Sequence, residues 1–427
     1  MPDLHTKYGK VVRTAPNEVS ISDVSAIREI YGPGSKYCKS DWYSVWQGTQ
    51  KTDLFAERDI ATHANLKKNI SRVYAMSSLT AMEKYVDDAV DFFMTCMAER
   101  SNQAIDLGVW LQLLAFDVIG EVSFSKRFGF LETGDDGTLS KIERALRSLA
   151  WVGQMPWVYW LEHHLAPIFG HHLDVKLRHG SIRSYAAKEV EARRGRQSEH
   201  DDILSHLFKV SAEGKIDDHA VTSIATANIF AGSDTTAISL RAIVYSLIRN
   251  PDCLRRLREE LQERKIDGRL QFPAKFSQVS DWPYLQACIS EALRLHPAVG
   301  MALPRVVPEN GRTLAGVFLP EGTVVGMNAW VIHRDPAIWG KDVDAFRPER
   351  WLTGNKGDME RCFLAFGGGA RLCIGKNISL MEMSKLIPLL FDRFDIEMEN
   401  PDQGLTESCA WFVKQEGLVV RMRPKKY

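Results

Sequence analysis

The sequence predicts a mainly α fold with small β-sheets near both ends, built as one large domain over residues 1–427. Three observations carry that reading. From about residue 57 to 265 apolar side chains recur at a helical period with few breaks. Strand-like runs are confined to the N-terminal stretch and to segments after residue 300. No Pro/Gly/Ser-rich linker, charge block, low-complexity run or internal repeat divides the chain.

Taken in order, "KVVRT" and "EVSIS" read as two short strands joined at "APN", followed by a helix with Asp23 as N-cap. Residues 40–56, "SDWYSVWQGTQKTDLFA", have no clean period and carry Trp42, Tyr43, Trp46 and Phe55, a loop rich in aromatics. The helical region that follows breaks near 101–104, 133–138, 193–201 and 212–217. Within it, residues 151–172 collect Trp151, Trp157, Trp160 and two histidine pairs, His163 with His164 and His171 with His172. Neighbouring histidines on a helix point in different directions, so these read as surface or core side chains rather than metal ligands. Segment 221–248 is long enough to span a bilayer, but Asn228, Asp234 and Arg241 interrupt it and it reads as a helix through the protein interior. "WPYLQACISEALRLHP" (282–297) is an amphipathic helix stopped at Pro297, with Glu291 and Arg294 three apart on one face. Strand-like pieces around "RTLAGVFLPEGTVVGMNAW" come next, then "FRPERW" (346–351), a glycine-rich loop, a helix and a strand-like tail.

Lys+Arg and Asp+Glu both number 54, so the chain has no net charge and no general basic field for nucleic acid. Its seven cysteines are scattered without C-x-x-C spacing, which suits a reducing compartment and argues against zinc. The first residues lack the apolar core of a signal peptide.

The glycine-rich loop is "FLAFGGGARLCIGKNIS" (363–379). Gly367, Gly368 and Gly369 free the backbone for φ > 0 and for close approach of a flat partner. Ile374, Ile378, Leu380, Met381, Met383, Leu386, Ile387 and Leu390 follow at a helical period, so Cys373 sits where a loop enters a helix. Unpaired N–H groups and the helix dipole there are expected to lower its pKa. On its own the residue still reads as a buried structural cysteine, and a phosphate loop lacks the required Gly-Lys-Ser/Thr ending.

Order and spacing add what single motifs lack. "AGSDT" (231–235) lies in the long buried helix, "EALR" (291–294) follows, then "FRPERW", and "FGGGARLCIG" (366–375) closes the series. This series resembles the cytochrome P450 family from about residue 5 to the C-terminus, and every fixed position of the signature Phe-x-x-Gly-x-Arg-x-Cys-x-Gly is met by Phe366, Gly369, Arg371, Cys373 and Gly375. The resemblance implies the P450 fold, haem b (iron protoporphyrin IX) as cofactor, and Cys373 as thiolate ligand of the iron, with Phe366 shielding the sulfur and the glycines letting the loop lie against the porphyrin. It implies Arg371, Arg305, His63 and Lys67 as partners of the haem propionates, the lysine standing where the family usually carries arginine. Asp234 and Thr235 would relay protons on the distal side, in a helix kinked at Gly232. Glu291, Arg294 and Arg350 would form a buried structural charge network. The substrate pocket would be lined by Trp42, Tyr43, Trp46, Phe230, Ala231, Thr235, Val299, Met301, Leu303, Trp411 and Phe412.

The function implied is a haem-thiolate monooxygenase that takes two electrons from NADPH through NADPH-cytochrome P450 reductase and oxidises an apolar small molecule. The N-terminal style resembles fungal members of secondary metabolism. Oxidative coupling, ring closure or desaturation at the same site is the alternative, and a haem sensor or electron carrier a further one. Eukaryotic members usually carry an N-terminal membrane helix, so the chain is expected to be a trimmed form of an enzyme on the cytosolic face of the endoplasmic reticulum. Lys68, Arg72 and Lys376 are expected to steer the reductase.

Overall fold

The computed structural model describes residues 1–50, 52–135, 137–169, 175–196 and 201–425. Four small sheets surround a helical body. The largest has strand order β1-β2-β8-β5-β3, from Val11–Ala15 (β1), Glu18–Ile21 (β2), Cys38–Lys39 (β3), Arg305–Val306 (β5) and Val324–Gly326 (β8). Its β2–β8 pair is parallel and the other pairs are antiparallel. Ala104–Asp106 (β4), Phe394–Met398 (β9) and Val419–Pro424 (β12) form a second sheet in the order β4-β12-β9. Two hairpins complete the set: Arg312–Leu314 (β6) with Val317–Leu319 (β7), and Thr406–Cys409 (β10) with Val413–Glu416 (β11).

The helical body is organised around the helix Asp218–Arg249, called the central helix, which Asp217 caps by accepting from the amide of Ala220. It packs most extensively against the helix Leu107–Phe124. Among the described residues that second helix alone is long and apolar enough to cross a membrane, yet 83% of its apolar window is buried inside the protein. The 221–248 segment belongs to the central helix. The helix remains continuous through Gly232, where a kink was expected. A Cβ at Gly232 would stand 2.9 Å from Ile119 Cδ1, so the glycine serves close approach of the two helices instead.

Two further local expectations change. The first sheet-side helix begins at Ala26, because Asp23 spends its Oδ1 on the amide and hydroxyl of Ser25, at 3.1 and 2.9 Å, one turn too early to cap it. The aromatic stretch is partly ordered as a 3-10 turn, Asp41–Tyr43, running into a helical turn, Ser44–Gln47, wrapped around Trp411. His163 is half-buried and His164 exposed, while His171 and His172 lie outside the described residues. Among the described residues no group of three potential ligands could hold a metal ion.

Buried apolar side chains form two clusters, one within the helical body and one beneath the five-stranded sheet. Leu303 and Phe363 pack against both. The seam between the clusters runs beside Arg305 and the cysteine loop, so the loop is held by two independent cores.

Two buried ionisable groups contribute opposite limbs to the pH response of this frame. Burial holds His333 neutral, with its pKa pushed down to about 3. Its contribution to stability is complete above its unfolded value of 6.5 and is lost as pH falls toward 3. Burial pushes Glu382 the other way, up to about 8, and its Oε1 has no hydrogen-bond partner among the described residues. The acid keeps its proton in the folded state, so its contribution is complete below 4.5 and is lost as pH rises through about 8. Where these windows overlap, from pH 4.5 to 6.5, the two slopes oppose each other. Glu382→Gln should therefore remove the alkaline limb alone, losing about 2 kcal/mol less than the parent between pH 6 and 8 in urea unfolding. Parallel losses in both proteins would refute the assignment.

Candidate active site

The cysteine loop is shaped by two of its three glycines. Gly367 and Gly369 adopt φ of 72° and 56°, whereas Gly368 is extended. A Cβ on Gly369 would stand 1.7 Å from the carbonyl oxygen of Tyr31, so only glycine lets the loop lie on the helix Ala26–Tyr31. The amide of Cys373 donates to the carbonyl of Phe366 at 2.9 Å, closing the loop into a turn ahead of the helix Lys376–Arg393. The amides of Gly375 and Lys376 point at the Cys373 sulfur, and a Cβ on Gly375 would lie 4.0 Å from it. The Phe366 ring lies 5.7 Å below the ammonium of Lys376.

The expected low thiol pKa is not what the surroundings give. The Cys373 side chain is exposed, yet the protein atoms crowded around it push the thiol up by desolvation, and the two amides with Lys67 and Lys376 only partly oppose that. The sequence shows a helix start but not how closely the rest of the protein crowds it.

Beside the loop the fold gathers an excess of cations. Lys39 and Arg305 are register partners across β3 and β5, both buried, an arrangement of like charges that ordinarily destabilises a sheet. Arg305 donates to the Pro304 carbonyl at 2.9 Å and lies over the Tyr31 ring at 5.1 Å. The Arg371 guanidinium donates to the Glu57 carbonyl at 2.7 Å, and burial together with Arg305 pushes its pKa down to about 10. His63, buried on the helix Ile60–Ile70, is pushed to about 3 by burial and then by Arg371 and Lys39. Burial and the same two arginines hold Lys39 far below the ordinary lysine range. Its position in a two-residue strand gave the sequence no signal for this role.

Lys67, expected with this group, has a second task. Two of its three N–H bonds go to the carbonyls of Ala370 and Leu372, at 2.9 and 2.8 Å, so it pins the cysteine loop.

On the other side of the central helix Thr235 donates its hydroxyl to the Ala231 carbonyl at 2.6 Å. The Asp234 carboxylate turns away from it and accepts from Gln112 Nε2 at 2.6 Å, and Gln112 Oε1 accepts from Arg241 at 2.7 Å. Burial raises the Asp234 pKa against the pull of Lys414 and Arg241. A narrow cleft behind Asp234 is lined by Glu143, Arg147 and Lys414, the last donating to Glu143 at 2.8 Å.

A cavity of about 90 Å³ lies beside this stretch, walled by Trp46, Phe55, Phe230, Ala231, Trp411 and Phe412. Five of the six were expected there; Phe55 was noted only as part of the aromatic loop. Trp42 and Tyr43 stand one layer behind it: Trp42 stacks on Trp411 with ring centroids 4.6 Å apart, and Tyr43 lies under Lys39 at 4.5 Å. Val299 forms a bridge with Phe412, and Gly300 donates its amide to Trp411, so Val299 and Met301 hold the wall strand without facing this cavity. Leu303 packs toward Gly367.

Glu291, Arg294 and Arg350 form one buried network. Arg294 grips Glu291 through Nε and Nη2, both at 2.8 Å, and Arg350 Nε adds a third bond at 2.8 Å. Trp351 Nε1 and the Arg347 amide also donate to Glu291, at 3.0 and 3.1 Å. Arg294 continues to the His333 carbonyl at 2.7 Å. His333 Nδ1 faces the Arg294 carbonyl at 3.0 Å and Nε2 accepts from the Leu364 amide at 2.8 Å, which assigns the proton to Nδ1. The charge network is thereby tied to the cysteine loop.

Comparison with known proteins agrees with this arrangement. The family model described as Cytochrome P450 matches residues 1–424. The chain is 40% identical to the cytochrome P450 monooxygenase hepC of Aspergillus oryzae, over 94% of this chain and 82% of that protein. It is 38% identical to the cytochrome P450 monooxygenase gsfF of Penicillium aethiopicum, over 98% and 87%. It is 36% identical to a pisatin demethylase of Fusarium vanettenii, over 97% and 82%. Haem iron, a redox partner that supplies electrons and a small-molecule substrate come with this kinship. The chain belongs to the cytochrome P450 family and is a monooxygenase.

Proposed function

We propose that the chain binds haem b with Cys373 as the iron ligand and oxidises an apolar fungal secondary metabolite with electrons from NADPH-cytochrome P450 reductase, at the cytosolic face of the endoplasmic reticulum. The observation that carries the reading is the pairing of a thiol, met by two amides, with the basic side chains of buried Lys39 and Arg305 and half-buried Arg371, which make no ion pair within 4.0 Å among the described residues. These three, with the neutral His63 imidazole beside them, fit two propionates, since a dianion relieves the mutual repulsion of the basic groups. Thiolate-bound haem would supply the activation of dioxygen.

The chain's own contribution is to hold substrate and to deliver protons. Aromatic walls from Trp46, Phe230, Trp411 and Phe412 exclude water from the cavity. Thr235 donates backward to Ala231, which leaves its oxygen free to accept and pass a proton. Asp234 collects protons from the cleft of Glu143 and Lys414 by rotating between Gln112 and Thr235. Asp234→Asn and Thr235→Ala should thus leave haem content and ligand affinity within about twofold while lowering product formed per NADPH several-fold. Equal coupling in variants and parent, measured with the first substrate found in a spin-state screen, would defeat the relay.

Membrane association is supported by a row of exposed apolar side chains on the helix Pro156–Phe169. Trp157, Leu161, Leu165 and Ile168 share one face, with Trp151 nearby. Lys68 and Arg72 are exposed near the loop, where an acidic electron donor would be steered.

A further inference from the structure

The aromatic cavity also carries charge. Gln50, Asp53 and Arg183 line it with the aromatic walls. Arg183 comes from the helix Val175–Arg194 and is half-buried. Among the described residues its guanidinium makes no hydrogen bond and no ion pair within 4.0 Å. Asp53 is the opposite charge that it feels. That carboxylate is already served, accepting from the amide of Ala56 at 2.8 Å and sharing the field of Lys39.

A half-buried guanidinium with unspent donors loses solvation that nothing in the protein restores. Its planar fork matches a carboxylate through two parallel bonds. The surrounding rings suit a flat apolar body. We propose that Arg183 anchors a carboxylate on an otherwise aromatic or apolar substrate and so selects which part of its body lies against Ala231 of the central helix. The inference rests on reading this cavity as the substrate site and narrows the substrate class from apolar to amphiphilic and acidic. Asp53 balances Arg183 when no acid is bound and limits the site to a single negative charge.

The test uses the haem-loaded protein with 4-biphenylcarboxylate and its methyl ester, which share one body and differ in the anchor. Affinities are read from the spin-state shift and, independently of the haem, from tryptophan quenching. The acid should bind at least about tenfold tighter than the ester at neutral pH, a preference worth one well-made charged contact. Arg183→Gln should bring the ratio to near one, Arg183→Lys should keep part of it, and Asp53→Asn should tighten the acid without changing the ester. A parent ratio near one, an Arg183→Gln ratio equal to the parent's, or Asp53→Asn weakening the acid would each overturn the proposal. The reduced carbon monoxide spectrum separates the two levels. With the thiolate band intact, these failures strike Arg183 alone, whereas a parent without that band strikes the haem-thiolate reading beneath it.

Discussion

Cys373→Ser is expected to abolish the long-wavelength carbon monoxide band of the reduced, haem-loaded protein and, under the proposed electron supply, to remove NADPH-driven oxidation. An alcohol in this position is a far weaker acid than a thiol and supplies no thiolate to the iron. The variant should still load haem to a measurable degree, since Lys39, Arg305, Arg371 and His63 are untouched and the loop keeps its Cys373-to-Phe366 backbone bond. Haem content and band position therefore read different parts of the site. A Cys373→Ser protein that retains the band places the iron ligand elsewhere.

Glu291→Gln has the second large effect, and it falls on stability. Glu291 receives three guanidinium bonds, an indole N–H and a backbone amide, all in the interior. Removing its charge leaves the buried Arg294 guanidinium without a counterion, while Arg350 keeps only Asp342 at 3.4 Å, at about 3–5 kcal/mol. A typical domain has only about 5–15 kcal/mol in total. The urea midpoint should drop sharply and the haem-loaded fraction should fall with it, because His333 passes displacement of Arg294 to the Leu364 amide of the cysteine loop. Arg255→Ala, which breaks an exposed pair with Glu259 four residues on, should leave both readings unchanged. Equal effects from the buried and exposed variants would show that the network carries no special weight.

These residues also mark how far the sequence could be read. Cys373, Arg371 and Gly369 lie within one short loop, and Glu291 with Arg294 within one helical turn, so local spacing already displays their geometry. The helical body and the end sheets follow from periodicity for the same reason. Lys39 and Arg183 were invisible, because a lysine in a two-residue strand and an arginine on a charged helix look like surface residues until the tertiary fold supplies neighbours. Trp42 and Tyr43 stand behind the cavity wall rather than in it, a distinction of one side-chain layer that aromatic content cannot draw. Asp234 and Thr235 are adjacent in the chain yet face different partners, since consecutive helical residues diverge by about 100°. The direction of the Cys373 shift was misjudged because a helix start is local, whereas the protein atoms that desolvate the thiol come from across the chain.

The register of Lys39 with Arg305 has a consequence for how the molecule comes together. β3 is two residues long and forms an edge of its sheet, and of its two cross-strand pairs, Cys38 with Val306 and Lys39 with Arg305, the second sets like charges together. Before any anion arrives, that rung is the cheapest part of the sheet to open, while β1, β2 and β8 are secured by their own core. Under the proposed haem site the order of assembly is thereby written into charge: the frame can mature first, and the β3 edge gains its reason to stay shut only when a dianion is there to be enclosed. A buffer rich in sulfate or phosphate would act as a weak surrogate by quieting the same pair of basic side chains.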